Sequence, residues 1–289
     1  MYTKSFFLIL IIILINVPGC KNSSENEKDA TNIIYLHHST GKIVWQGKES
    51  TIKKLVPERF EKYIPELTKP AIVKYLKDYN KENGTSYQIT AREFPAKSPY
   101  GWKNYPYDYY NIWVKHGNQD FYKEEPTMNI LTEKYDVVVF KHCFPVSHMI
   151  KDSLPNNPAS EAKSLGNYKV QYQLLKEKMN SYPNTRFLLW TGPALLEKHT
   201  NKSEAAITNE FYEWVKNEWD APDDNIFLWD FRELETEGGL FLKTEFARNS
   251  NDSHPNIEFG ERAAELFVQR LIDVIRNNGI KTDLTGKIK

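Results

Sequence analysis

The chain has 289 residues, with 38 Lys plus Arg against 38 Asp plus Glu, so it carries neither the basic surface that nucleic acid demands nor a charged, disordered tail. Length alone leaves one large domain or two small ones open. Cys20 and Cys143 are the only cysteines, which excludes a zinc site built mainly from thiolates and any disulfide within the domain if Cys20 is held elsewhere; no cofactor is called for.

Residues 1–20 read as a targeting segment. Lys4 supplies a positive start, Phe6 to Ile15 an apolar stretch too short to span a membrane comfortably, and Val17-Pro18-Gly19-Cys20 follows. This resembles a bacterial lipoprotein signal, which implies Cys20 as the lipidation site and a lipid-anchored protein of the cell envelope, periplasmic or surface-exposed. A plain secretory peptide and a single membrane anchor are the alternatives. Residues 21–30, polar and charged, read as a flexible tether, and 31–289 as one domain.

Asn32 to Leu36 is a short, β-branched, apolar run ending in His37-His38-Ser39-Thr40-Gly41, as a buried parallel strand feeding a loop would. Gly41 to Ser50 then reads as loop. Ile52 to Tyr63 and Pro70 to Tyr79 have helical spacing, and Tyr87 to Phe94 reads as the next strand. From Pro95 to Glu125 the chain is loop-like and aromatic, with Trp102, Tyr105, Tyr109 and Trp113; a substrate wall and an aromatic cover on the sheet are equally open.

Tyr135 to Phe140 is the clearest strand, and Lys141 to Pro145 leave its end. Asn167 to Met179 reads as helix, Arg186 to Trp190 as strand, Ala205 to Trp219 as helix, Ile226 to Phe231 as strand and Glu258 to Asn277 as a long amphipathic helix. Lys281 to Lys289 reads as a ragged tail. Five strands alternating with helices predict a three-layer α/β/α sandwich with a mostly parallel sheet.

Ligands in such sheets bind beyond the carboxyl ends of the strands, which makes Ser39 the first candidate nucleophile. A free hydroxyl needs a base, and Asp252-Ser253-His254-Pro255-Asn256 before the last helix offers one. The placement of Ser39 and of this terminal motif resembles the SGNH (GDSL-like) hydrolases, in a divergent branch with His-His-Ser-Thr-Gly in place of Gly-Asp-Ser. The resemblance implies an SGNH/flavodoxin-like fold and an esterase, lipase or carbohydrate deacetylase activity. Ser39 would be the nucleophile, His254 the general base and Asp252 the residue that orients it. The usual aspartate position, three before the histidine, holds Asn251.

The family's oxyanion glycine and asparagine have no clear equivalents. The backbone of Ser39 can supply one donor, Gly41 permits close approach, and Gly101 is the nearest glycine candidate. After the third strand no asparagine follows, so His142, Ser147 or His148 would donate instead. His38, Lys141 and Thr191 lie at strand exits and complete the candidate substrate or oxyanion contacts. A metal site from His37, His38, His142, His148 and His254 with Asp252 ranks below hydrogen-bonding roles for these histidines, because adjacent residues at a strand end point to opposite sides. Cys143 reads as core packing rather than as a nucleophile.

The expected function is a serine esterase or deacetylase acting on acyl esters, O-acetyl groups of a glycan among them, with an acylated glycan or other small ester as partner and the membrane reached through the N-terminal lipid. The alternatives are a non-catalytic carbohydrate-binding or surface-assembly protein on the same scaffold, and an acyltransferase.

Overall fold

Alternating apolar residues explain the architecture. In strand β1, Asn32–His37, Ile33 and Tyr35 face one side while Ile34 and Leu36 face the other, and all four are buried, so the strand needs a helical layer on each face. The computed structural model describes residues 30–48, 55, 57, 69–152 and 155–289. The expected signal with Cys20, the tether up to Asp29 and nearly all of the helical reading between 52 and 63 lie outside them.

Strands β2 (Gln88–Glu93), β3 (Val137–Lys141), β4 (Arg186–Trp190) and β5 (Ile226–Trp229) complete a five-stranded sheet in the order β2-β1-β3-β4-β5, with every pairing parallel. On one face pack α1 (Ser39–Gln46), α2 (Ala71–Asn83) and the C-terminal helix, joined to Tyr35, Val139 and Trp190 through Val44, Ile72 and Phe267. On the other, α3 (Leu165–Asn180) and α4 (Lys202–Trp214) present Tyr172 and Phe211 to Leu36, Val138 and Phe140. The result is a three-layer α/β/α arrangement, as the alternation of elements predicts.

After β5 come a short helix, α5 (Phe231–Thr236), an antiparallel pair, β6 (Ala247–Asn249) with β7 (Asp252–Pro255), and the long helix α6 (Ile257–Asn277). Asn256 caps α6 by accepting from the Phe259 amide at 2.8 Å.

Two readings of the sequence need correction, the loop after Ser39 and the ragged tail, and one open alternative is decided. Residues following Ser39 form a helix, not a loop, and Gly47, at φ 56°, ends it. The aromatics between 95 and 125 form a cover on the sheet: Tyr105, Tyr109 and Trp113 are at most 1% exposed, and Trp113 stacks on Phe94 at 5.1 Å. The segment after Ile280 is docked, with Trp229 Nε1 donating to Thr285 O at 2.9 Å and the Asp230 amide to Leu284 O at 2.7 Å.

Candidate functional site

The order of strands reverses between β1 and β3, and the crevice at such a reversal lies beyond the strands' carboxyl ends. Ser39 follows β1 and Cys143 follows β3. His38 is extended, and α1 begins at Ser39 with no side chain capping its first amides, so the exposed hydroxyl sits at a helix start whose N–H groups are unclaimed by a cap.

Two contacts hold that turn. Tyr35 Oη donates to Gly41 O at 2.9 Å, and a Cβ at Gly41 would lie 2.7 Å from His37 Cβ and 3.0 Å from Lys141 Cδ. Gly41 therefore serves helix packing beneath Ser39 rather than loop freedom. The adjacent histidines diverge as strand geometry requires. His37 is buried, and burial with the nearby Lys141 charge pushes its imidazole down to about 4. His38 bonds Pro95 O through Nε2 at 2.6 Å; burial lowers it too, against the pull of that carbonyl.

The opposite half of the site comes from β7. In a strand, residues two apart share a face, so Asp252 and His254 point the same way. Asp252 Oδ1 lies 2.6 Å from His254 Nδ1 and accepts the His254 amide at 3.0 Å, while Oδ2 accepts from Arg248 Nη1 at 2.8 Å. Burial alone would raise the Asp252 carboxyl, but the hydrogen bonds from the His254 amide and ring, with the charges of His254 and Arg248, outweigh it and hold the group below its ordinary value. A carboxylate beside Nδ1 keeps the proton there and leaves Nε2 as the basic nitrogen.

The two halves meet at Cys143-Phe144. Ser39 Oγ is 3.9 Å from Cys143 Sγ, and the His254 ring stands edge-on to the Phe144 ring with centroids 5.0 Å apart. Ser39 and His254 are not themselves hydrogen-bonded. Under Ser39, buried Lys141 directs Nζ at Cys143 Sγ from 3.3 Å.

Several other expected contacts are turned inward. His142 is fully buried between Tyr109 and Tyr172, with no partner for either ring nitrogen, and burial drives its imidazole down to about 3. Ser147 donates to Pro193 O, and Thr191 to Asp230 Oδ1 at 2.8 Å, so both hydroxyls are committed. His148 pairs with Glu204 at 3.0 Å, half-exposed, and this bond heads the causes that lower the Glu204 carboxyl. Gly101 lies in a turn with φ 42°, and its amide donates to Lys97 O. Asn251 accepts from Lys198. Ser253 is pinned between the Leu196 amide and His199 Nδ1 at 2.7 Å.

Among the described residues no group of three or more His, Cys, Asp or Glu side chains is placed to hold a metal ion, and no helix is long and apolar enough to cross a membrane. The sequence reading missed Arg248, which reaches Asp252 only because the β6–β7 hairpin folds back, and the neighbourhood of Cys143. An open cavity of about 940 Å³ near Arg186, Asp220 and Arg270 lies at the amino ends of β4 and β5, away from these groups. A smaller one, of about 590 Å³, adjoins α1 and the end of β7. The chain matches no family model, no curated protein and no solved structure.

Proposed function

We propose that this chain is a serine esterase of SGNH-like type on a sheet of flavodoxin-like strand order, hydrolysing acyl esters with Ser39 as nucleophile, His254 as base and Asp252 as its orienting carboxylate. One observation carries the reading: Ser39 and the His254–Asp252 pair, more than two hundred residues apart in sequence, stand against neighbouring residues of one loop, Ser39 beside Cys143 and His254 beside Phe144.

In this reaction His254 Nε2 takes the Ser39 Oγ proton as the oxygen bonds to the acyl carbon. Charge gathers on the former carbonyl oxygen, and the first amides of α1 supply hydrogen-bond donors and the positive end of the helix dipole. These donors replace the glycine and asparagine side of the family pattern. The imidazolium then returns its proton to the departing alcohol, and water repeats the sequence to release the acid. Closure of the Ser39–His254 gap accompanies substrate binding, since catalytic hydrogen bonds commonly tighten only in the complex. With the lipoprotein-like segment, the reading places the enzyme on the cell envelope, tethered through Cys20.

The test is hydrolysis of p-nitrophenyl acetate and of O-acetylated oligosaccharides by wild type, Ser39→Ala and His254→Ala. Turnover in wild type and its loss in both variants, with unfolding temperature unchanged, is expected. Full activity in both variants removes the reading. A non-catalytic glycan-binding protein is the second reading, favoured by the contact of Ser39 with a thiol instead of an imidazole; it requires binding without turnover, undiminished in Ser39→Ala.

A further inference from the structure

We infer that the cavity of about 590 Å³ beside α1 is the subsite for the alcohol portion of the substrate, and that it is built for a saccharide. This rests on the esterase reading for its place in a reaction, though not for its ability to bind. Its walls are Ile43 and Gln46 of α1, Arg248, and Pro255, Asn256, Ile257 and Glu258 at the junction of β7 and α6.

Position comes first. Ser39, Ile43 and Gln46 are spaced i, i+4, i+7 and share one face of α1, so the cavity runs away from the nucleophile over roughly 10 Å at ~1.5 Å per residue. Pro255 directly follows His254, and Arg248 is bonded to Asp252 at 2.8 Å. The cavity therefore adjoins both halves of the site. Its inner wall is fixed by close helix packing: a Cβ at Gly260 would stand 3.0 Å from Ile43 Cγ2.

Chemistry selects the occupant. The lining holds one cation, one anion, two amides and three apolar side chains, and its volume suits a small molecule; the Asn256 amide is already committed, its Oδ1 accepting from the Phe259 amide and its Nδ2 donating to Glu245 O. The side chains of Gln46 and Glu258 make no hydrogen bond or ion pair with the described residues, so both are available to a ligand. A long acyl chain would strip water from Arg248, Gln46 and Glu258 and return no hydrogen bonds, which disfavours it. A polyanion would meet Glu258. A sugar satisfies all of them: its hydroxyls donate to Glu258, accept from Arg248 and Gln46, and its C–H face lies on Ile43, Pro255 and Ile257. The exposed hydroxyl of Ser39 is then left for an ester carried on that sugar.

The deciding experiment compares two substrates. Gln46→Trp fills the cavity, and Glu258→Leu, at an exposed position, removes one acceptor without new bulk inside the fold. Each is expected to raise KM for O-acetylated gluco-, xylo- or manno-oligosaccharides by about tenfold or more, while kcat/KM for p-nitrophenyl acetate stays within about twofold. Equal losses on both substrates, or no change on the saccharides, overturn the assignment. Calorimetry with the deacetylated oligosaccharides on wild type and Gln46→Trp separates this claim from the esterase reading. If no ester is turned over, binding that Gln46→Trp abolishes still supports the subsite, and absence of binding to wild type overturns it.

Discussion

Asp252 Oδ1 and His254 Nδ1 stand 2.6 Å apart on the same face of a four-residue strand. The spacing of two brings the pair together because β7 is extended: a strand brings i and i+2 to one side, whereas a spacing of three would put the carboxylate on the other. Asp252→Asn is expected to lower kcat for acyl-ester hydrolysis by roughly 10²- to 10⁴-fold, since an amide can present its N–H to Nδ1 and leave the proton on Nε2. Steady-state kinetics with p-nitrophenyl acetate, with circular dichroism to verify folding, measures it. A variant within a few-fold of wild type would show that another group orients the base.

How much of this could be read in advance follows from the range of the interactions. The five strands of the sheet stood out because their apolar runs are local signals, and Ser39, His254 and Asp252 stood out because strand ends and the start of the last helix are where ligands collect. α1 did not, since it is short, with Gly41 inside its first turn and Gly47 at its end, and earns its helicity from packing on β1 and α6 rather than from propensity. Nor could the sequence tell a substrate wall from a core cover in the aromatic stretch. Tyr109 Oη donating to Lys141 O at 2.8 Å, with its ring against His142, is a contact across more than thirty residues that no local pattern encodes. The carboxylate partner of Arg248 was hidden for the same reason, by the register of the β6–β7 hairpin.

Cys143 lies beside Ser39, the proposed nucleophile, with Sγ 3.9 Å from Oγ. Its thiol is the hydrogen-bond acceptor for buried Lys141 and the neighbour of Ser39. Cys143→Ser preserves an acceptor and is expected to keep stability and at least a fair share of kcat. Cys143→Ala leaves the Lys141 ammonium buried without its partner and is expected to cost about 1–3 kcal/mol in urea unfolding while still hydrolysing esters. Loss of turnover beyond about a hundredfold in both variants would make the thiol part of the chemistry.

The docked C-terminal segment is a structural member. Asp273 accepts the Lys281 amide at 3.1 Å and the Thr282 amide and hydroxyl at 2.8 and 2.7 Å, contacts that help hold its carboxyl below the ordinary value against the opposing effect of burial. Arg270 Nη1 donates to Gly279 O and to Thr282 Oγ1 at 3.1 Å. Removing residues 281–289 strips Asp273 of these donors and uncovers Trp229. A loss of about 3 kcal/mol or more by urea denaturation is expected. A truncated chain as stable as the full one would mean that the segment adds nothing to the fold.

Buried His142 sets a direction for stability against pH. Its imidazole is neutral in the folded protein, pushed down to about 3 by burial and then by the Lys141 charge, while an unfolded histidine titrates near ~6.5. Between those values the unfolded chain binds more protons than the folded one, so this group's contribution is fully present above about 6.5 and is lost as pH falls toward 3. His37, lowered to about 4, acts in the same direction. His142→Leu removes one of the two contributions and also two ring nitrogens that lack partners. Its unfolding free energy at pH 7 is expected to equal or exceed that of wild type, because no unsatisfied polar atom remains at the position. Its drop between pH 7 and pH 4 is expected to be smaller than wild type's by roughly 2–3 kcal/mol, read from urea unfolding at the two pH values. An unchanged drop would mean that His142 is solvated or protonated in the native state, and that the neutral, buried ring is not the form the protein holds in solution.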